Sequence, residues 1–160
     1  MTAGQVTNAD FDRLSWHDNV VYGFRTALPA PDVGDWRCDL ILDIDHIVAW
    51  LCEDPQNVRF LVAPADLVFH NVGGLKIDLD FGPDMLSEIS IDAVRRKPAA
   101  KSATATPAYD WRIELHPPVR GGIAFTATGF TQTLRGEPLI LEEQSLSRAQ
   151  RDRFPSPVCP

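Results

Sequence analysis

The sequence lacks several features that mark common classes of protein. No apolar run approaches the roughly 20 residues that a membrane-spanning helix needs, so we expect no membrane association. There is no phosphate-binding glycine loop and no GxSxG or HExxH motif, which argues against the common nucleotide-binding and hydrolase classes. Basic residues number 15 against 22 acidic ones, a net charge of −7. Because a nucleic-acid partner requires a basic surface, none is expected.

Cysteine is also scarce. The three cysteines, Cys38, Cys52 and Cys159, form an odd set without CxxC or zinc-ligand spacing. The first residues lack the charged and apolar regions of a signal peptide. These features predict a cytoplasmic protein with free thiols, no cofactor and no metal site.

The remaining composition is that of a single folded unit. With 160 residues, 44% of them hydrophobic, the chain can bury a sizeable core, and we expect one domain over residues 1–160. Residues 96–108 are low in complexity and predict a mobile loop. Residues 154–160 are rich in proline and predict an irregular tail.

Period-two alternation is the clearest pattern in the sequence and is typical of half-buried strands. In residues 38–50, Leu40, Leu42 and Ile44 share one parity with Val48 and Trp50. Nine apolar side chains of three such segments are predicted to be buried: Leu40, Leu42, Ile44, Leu75, Ile77, Leu79, Trp111, Ile113 and Leu115. Six intervening ones are predicted to be exposed: Asp43, Asp45, Asp78, Asp80, Arg112 and Glu114.

About eight strands can be placed in this way, together with two short helices near the termini. No strand alternates with a long helix, so a parallel α/β fold is not expected. The prediction is a mostly β (α+β) protein: an antiparallel β-sandwich or half-open barrel with two short terminal helices.

Acidic residues are concentrated in the middle of the chain. Residues 39–92 contain eleven acidic and only two basic side chains. Within them, Asp43 and Asp45 share one strand face, and Asp78 and Asp80 repeat that arrangement. If the two strands were neighbours, the four carboxylates would repel one another and would call for a basic protein partner or a calcium or magnesium ion. If they were not, all four would be solvated outer-face residues.

A polar trio, His17, Asp18 and Asn19, precedes the first long strand. Its side chains suit binding, acid/base chemistry or metal ligation, but the favoured interpretation is that they form hydrogen bonds to the local backbone. Of the other histidines, His46 falls on the apolar parity of its strand and is predicted to be buried and neutral. His70 and His116 show no ligand spacing.

Three segments together resemble small bacterial domains of unknown function: Trp16-His-Asp-Asn-Val-Val, Leu40-Ile-Leu-Asp-Ile-Asp and Ala63-Pro-Ala-Asp-Leu-Val-Phe-His-Asn-Val. Some of those domains are thought to be immunity proteins of toxin systems, so the resemblance implies a β-rich, immunity-like protein and transfers no catalytic residue. The leading hypothesis is therefore a non-enzymatic binding module that presents an acidic face to a basic protein partner. The alternative is an enzyme that uses His17, Asp18 and nearby carboxylates, with or without a divalent cation.

Overall fold

The computed structural model describes residues 5–100 and 106–155, and most of them are in β-strands. The described helices are short: two 3₁₀ helices, Asn8–Arg13 and Pro31–Val33, and one α-helix, α1 (Arg148–Arg151). The ten strands are β1 (Gln5–Thr7), β2 (Val20–Ala27), β3 (Asp39–Asp54), β4 (Asn57–His70), β5 (Gly73–Asp80), β6 (Ile89–Pro98), β7 (Tyr109–Leu115), β8 (Arg120–Ala127), β9 (Gly129–Leu134) and β10 (Leu139–Leu141).

All ten strands belong to one open antiparallel sheet, which confirms the predicted fold class. The order is β1-β9-β4-β3-β2-β6-β7-β8-β5, with β10 also paired to β4. The sheet curls over its own inner face, since the Phe69 ring of β4 lies 5.0 Å from Trp111 of β7 and 4.7 Å from Phe125 of β8, centroid to centroid. One continuous curled sheet corresponds to the half-open barrel rather than to the sandwich.

The inner face holds the main core, and most of the alternation is confirmed there. Five of the predicted residues are almost completely buried: Leu40, Leu42, Ile44, Trp111 and Ile113. Leu75, Leu79 and Leu115 are only partly buried, and Ile77 is 37% exposed. The prediction was wrong for Ile77 because β5 is an edge strand, which leaves one flank of its side chains without a neighbour.

A second, smaller core lies on the outer face of the sheet. Ile47 packs there with Phe60, Val62 and Leu146. A register shift between Ile47 and Ala49 changes which side chains of β3 face inward. Val48 and Trp50, which share the alternation of Leu40, Leu42 and Ile44 in the sequence, are therefore exposed. The segment from β10 to α1 covers this outer face, and the exposed position predicted for Asp45 is wrong: its side chain is completely buried.

Several predicted boundaries also change. β4 runs through Pro64. On one side of β4 the neighbouring strand changes there from β10 to β9, and proline, which has no N–H to donate, lies at this junction. The Pro64 carbonyl accepts a hydrogen bond from the Arg135 N–H. β8 and β9 follow each other directly, with only Thr128 between them. Residues 96–98 of the predicted mobile loop complete β6, whereas residues 101–105, and residues 156–160 of the predicted tail with Cys159, lie outside the described residues. No helix in the described part of the chain has the length and apolarity required to cross a bilayer.

Candidate functional site

The polar trio is held in place by the residue before it and by β6. Trp16 is almost fully buried in the main core, and its indole Nε1–H donates to Gln132 Oε1 at 2.7 Å. The Asp18 N–H donates to the Ile91 carbonyl at 2.8 Å. These contacts fix the turn that leads into β2 and direct His17 and Asp18 toward β6 and the end of β7.

At that place a cluster forms that we call the His–Asp site: His17, Asp18, Asp92 and His116. Asp18 Oδ1 lies 3.0 Å from His116 Nε2 and 3.6 Å from His17 Nε2. Asp92 Oδ1 lies 3.7 Å from His116 Nε2. The two imidazole rings meet edge to face at 4.8 Å. Four side chains from three separate parts of the chain therefore converge at one point.

Hydrogen bonds orient two of these groups. His17 Nδ1 lies 2.9 Å from the Asp92 carbonyl oxygen, which can only accept, so the neutral ring carries its proton on Nδ1 and leaves the Nε2 lone pair free. Gln144 Nε2 donates to Asp18 Oδ2 at 3.0 Å and leaves Oδ1 directed at the histidines. Such outer contacts are typical of residues that orient a metal ligand.

The nitrogen of His116 that faces the cluster is unsatisfied. His116 Nε2 is buried and, among the described residues, has no hydrogen-bond partner, because Asp18 Oδ1 is near enough but lies off the hydrogen-bond direction. Donors about 2.0–2.2 Å from a tetrahedral Zn²⁺ ion lie roughly 3.4 Å apart. One donor atom each from His17, Asp18 and His116 all lie within 4.8 Å of one another, so this spacing suits a shared cation.

The backbone of Asp18 is also unusual. Its φ of 64° is left-handed, a region that L-residues other than glycine seldom adopt, although aspartate tolerates it better than most. With the backbone in this conformation, the carboxylate lies beside His116. The interpretation that the trio satisfies local backbone groups is therefore wrong for Asp18, whose carboxylate partners are distant side chains.

Asn19, the third member of the trio, points away from the His–Asp site. It is completely buried, its Oδ1 accepts from the Ile47 N–H at 3.2 Å, and its Nδ2 lies 2.9 Å from His46 Nδ1. Burial lowers the pKa of His46 to about 4, which supports the prediction of a buried, neutral histidine. Asn19 thus ties β2 to β3 inside the protein rather than facing a ligand.

Asp45 belongs to a separate cluster that we call the Asp–Arg clasp: Asp43, Asp45, Asp66, Arg135 and Arg151. Asp45 is bonded by Arg151 and by the Leu146 N–H at 2.7 Å. Burial raises the pKa of Asp45, and the bonds from Leu146 and Arg151 oppose this only in part. The Arg151 guanidinium also lies 3.6 Å from the ring centroid of Tyr22, where burial, with the charge of Asp45, raises the phenol pKa to about 12.

Asp43 joins the two halves of the clasp. Its Oδ1 accepts from Arg135 at 2.8 Å and also bonds Arg151, while Arg135 reaches Asp66 at 2.6 Å. Burial acts to lower the pKa of Arg135, but the bonds and charges of Asp43 and Asp66 outweigh it and raise that pKa. The cations that pair with these carboxylates, Arg135 and Arg151, come from the C-terminal part of the same chain and not from a basic protein partner.

Asp78 and Asp80 lie far from Asp43 and Asp45 in the sheet. Both are exposed on β5, and four strands separate β5 from β3 in the sheet order. The four aspartates therefore do not form one patch, and the predicted acidic face is divided between an internal clasp and an exposed sheet edge.

Comparisons with family models, curated proteins and solved structures found no match to this chain. The sequence pointed to His17 and Asp18 but missed His116, Asp92 and Gln144. No local signal marks these residues, because they reach the site only through the pairing of β6 with β7 and the return of the C-terminal segment.

Proposed function

We propose that this protein binds a divalent transition-metal ion, with Zn²⁺ the best fit, through His17 Nε2, Asp18 Oδ1 and His116 Nε2. The observation that carries the proposal is the convergence of these donor atoms, with the buried His116 Nε2 unsatisfied. Two imidazoles and one carboxylate suit zinc, whereas calcium and magnesium prefer all-oxygen ligand sets. Asp92 stands beside them as a fourth candidate ligand.

The site is open enough for exchange with solvent. The side chains of His17 and Asp92 are about half exposed, and both residues line a shallow groove of about 300 Å³ next to Trp16. A metal ion with a free coordination position activates water. The hypothesis of an enzyme that uses His17 and Asp18 thus becomes a hypothesis about metal-assisted hydrolysis, and it depends on metal binding here.

Zinc titration of protein freed of metal with EDTA and then dialysed tests the proposal. We expect one Zn²⁺ per chain by calorimetry, and a rise in the unfolding temperature, since a ligand at 100 times its Kd adds about 2.7 kcal/mol to the unfolding free energy. His116→Ala and the conservative Asp18→Asn should each weaken binding at least tenfold. Absence of zinc binding by the wild-type protein, or unchanged affinity in both variants, would contradict the proposal.

His70→Ala is the matched control. His70 also lies beside a carboxylate, with Nδ1 3.4 Å from Asp39 Oδ1, but it is outside the His–Asp site. This variant should bind zinc as the wild type does. If it lost binding to the same extent, the ion would be held by scattered histidines and not by the cluster.

A binding module for a basic protein remains a second proposal, now limited to the exposed edge strand β5 with Asp78 and Asp80. An edge strand offers unpaired backbone groups, and its carboxylates add attraction for cations. A lysine-rich peptide is a suitable probe: the double variant Asp78→Asn/Asp80→Asn should bind it severalfold more weakly, and Asp32→Asn should not. An immunity-like role stays a prediction from the resemblance.

A further inference from the structure

The outer face of the β5–β8–β7–β6 part of the sheet contains a groove that the His–Asp site does not use. β8 lies between β5 and β7, and after Arg120 its outward residues are small: Gly122, Ala124 and Thr126. Lys76 of β5 and Arg112 of β7 both pair with Ala124, one on each side. Long side chains beside small ones leave a groove along β8 with a volume of about 580 Å³.

The walls of this groove are basic in a protein that is acidic overall. Eleven residues line it: Gly74, Lys76, Arg95, Arg96, Lys97, Asp110, Trp111, Arg112, Ala124, Phe125 and Thr126. Five of them are basic and one is acidic, but the Arg96 side chain lies on the inner face of the sheet, stacked on Phe11 and bonded to Asn8, so four cations face the groove. We call it the basic groove. The whole chain carries a net charge of −7, so this local excess of positive charge runs against the composition.

Two cations of the basic groove face each other across neighbouring strands. Arg95 lies directly opposite Arg112 in the β6–β7 register, and like charges in that position destabilise a sheet. Glu114 is their shared partner, 3.0 Å from Arg95 Nε and 4.0 Å from Arg112 Nε. Lys97 pairs with Asp110 at 4.0 Å, whereas Lys76, across Ala124, shows no ion pair within the described part of the chain. The three cations of the row Arg95–Arg112–Lys76 therefore share one paired carboxylate, that of Glu114, with Asp78 in the next row of the same face.

We propose that the basic groove binds a small organic phosphate. Guanidinium groups pair with phosphate oxygens in a two-pronged geometry, and a row of three cations matches a doubly charged group better than a single carboxylate. The volume falls within the range of small-molecule pockets and leaves room for an organic portion beside the phosphate. Polyanions such as nucleic acids are disfavoured, because the net charge of the protein repels them at long range.

Phenyl phosphate is the probe, titrated into ¹⁵N-labelled protein in the presence of EDTA, so that a metal ion in the His–Asp site cannot bind the phosphate. We expect saturable shifts of the amide signals of Arg112, Ala124 and Thr126. The double variant Lys76→Gln/Arg112→Gln should bind at least tenfold more weakly. Arg13→Gln, a charge removal on an exposed side chain in the first 3₁₀ helix, should bind as the wild type does.

A second variant separates shape from charge. Ala124→Leu keeps every cation but fills the floor of the basic groove, and it should also weaken binding at least tenfold while the unfolding temperature is maintained. Equal affinity for phenyl phosphate in the wild-type and both groove variants would overturn the proposal. So would benzoate binding as tightly as phenyl phosphate, or binding of a glutamate-rich peptide without binding of phenyl phosphate. Because EDTA is present throughout, failure here leaves the proposed metal site untouched.

Discussion

Arg151→Ala in the Asp–Arg clasp is the perturbation with the most direct consequence for stability. In the folded protein Asp45 is completely buried, and Arg151 and the Leu146 N–H are its charge-compensating contacts. Removing the arginine leaves a buried carboxylate with the Leu146 N–H and the Tyr22 hydroxyl as its polar neighbours. Breaking a buried ion pair from one side costs about 3–5 kcal/mol, and the loss of the contact with Tyr22 adds to this.

Protonation of Asp45 limits that cost. Starting from the ordinary carboxyl pKa of 3.8, adding a proton costs about 5 kcal/mol at about pH 7.5, but only about 1.6 kcal/mol at about pH 5. Burial already raises the pKa of Asp45, and removing Arg151 raises it further. A carboxyl whose folded pKa lies above its unfolded pKa binds its proton more tightly in the folded state, so stability falls as pH rises through the folded pKa. The loss caused by Arg151→Ala should therefore be about 3–5 kcal/mol near pH 7.5 and about 2 kcal/mol near pH 5.

Urea unfolding at both pH values measures the effect. Arg148→Ala is the matched control, because Arg148 lies in the same short helix but is exposed. If Arg151→Ala is too unstable near pH 7.5, the double variant Asp45→Asn/Arg151→Ala, which removes both charges, should recover part of the loss. A loss no larger than that of Arg148→Ala, or one that is equal at the two pH values, would refute the reasoning.

Three further predictions concern buried or strained groups near the sites. His46 has a pKa of about 4 in the folded protein and 6.5 when unfolded, so the unfolded state binds the proton first as the pH falls. About 3 kcal/mol of unfolding free energy should therefore be lost between about pH 6.5 and pH 4. The variant His46→Gln should flatten that pH dependence in urea titrations. Asp18→Gly should change the unfolding free energy by no more than about 1 kcal/mol, because relief of the left-handed backbone strain offsets the lost side-chain contacts. The same variant should abolish the rise in unfolding temperature that zinc causes. A rise equal to that of the wild type would contradict the metal assignment. Trp16→Phe should lower the unfolding free energy by about 1–3 kcal/mol, because it leaves Gln132 Oε1 buried without its donor. Adding Gln132→Leu should restore part of that free energy. No recovery would show that the indole ring itself, and not the hydrogen bond, supplies the stability.

Local alternation determined the strand character of the chain and much of its inner core. Leu40, Leu42 and Ile44 face inward as predicted, because side chains along a strand alternate whatever the strand pairs with. The pattern fails after Ile47, where the register shift reverses which parity faces the core. A bulge of this kind depends on the partner strand and leaves no signature in the sequence of β3 alone.

Coverage of the outer face was decided by tertiary structure. The sequence places Asp43 and Asp45 on the polar side of β3, and by itself that predicts exposure to water. The C-terminal segment returns across this face and supplies Arg151 and Leu146 as partners. Alternation tells which side chains share a face but not whether a second layer covers that face, since the covering segment lies about a hundred residues further along the chain.

The candidate sites divide in the same way. The sequence by itself determined that His17 and Asp18 are adjacent polar groups before a strand. Only the tertiary structure decided that His116 meets Asp18 and Asp92, and that Lys76 and Arg112 flank Ala124. The physical reason is that metal-ligand and anion sites require atoms within a few ångströms of one another, and in this sheet those distances are set by strand order and register, which are long-range properties of the chain.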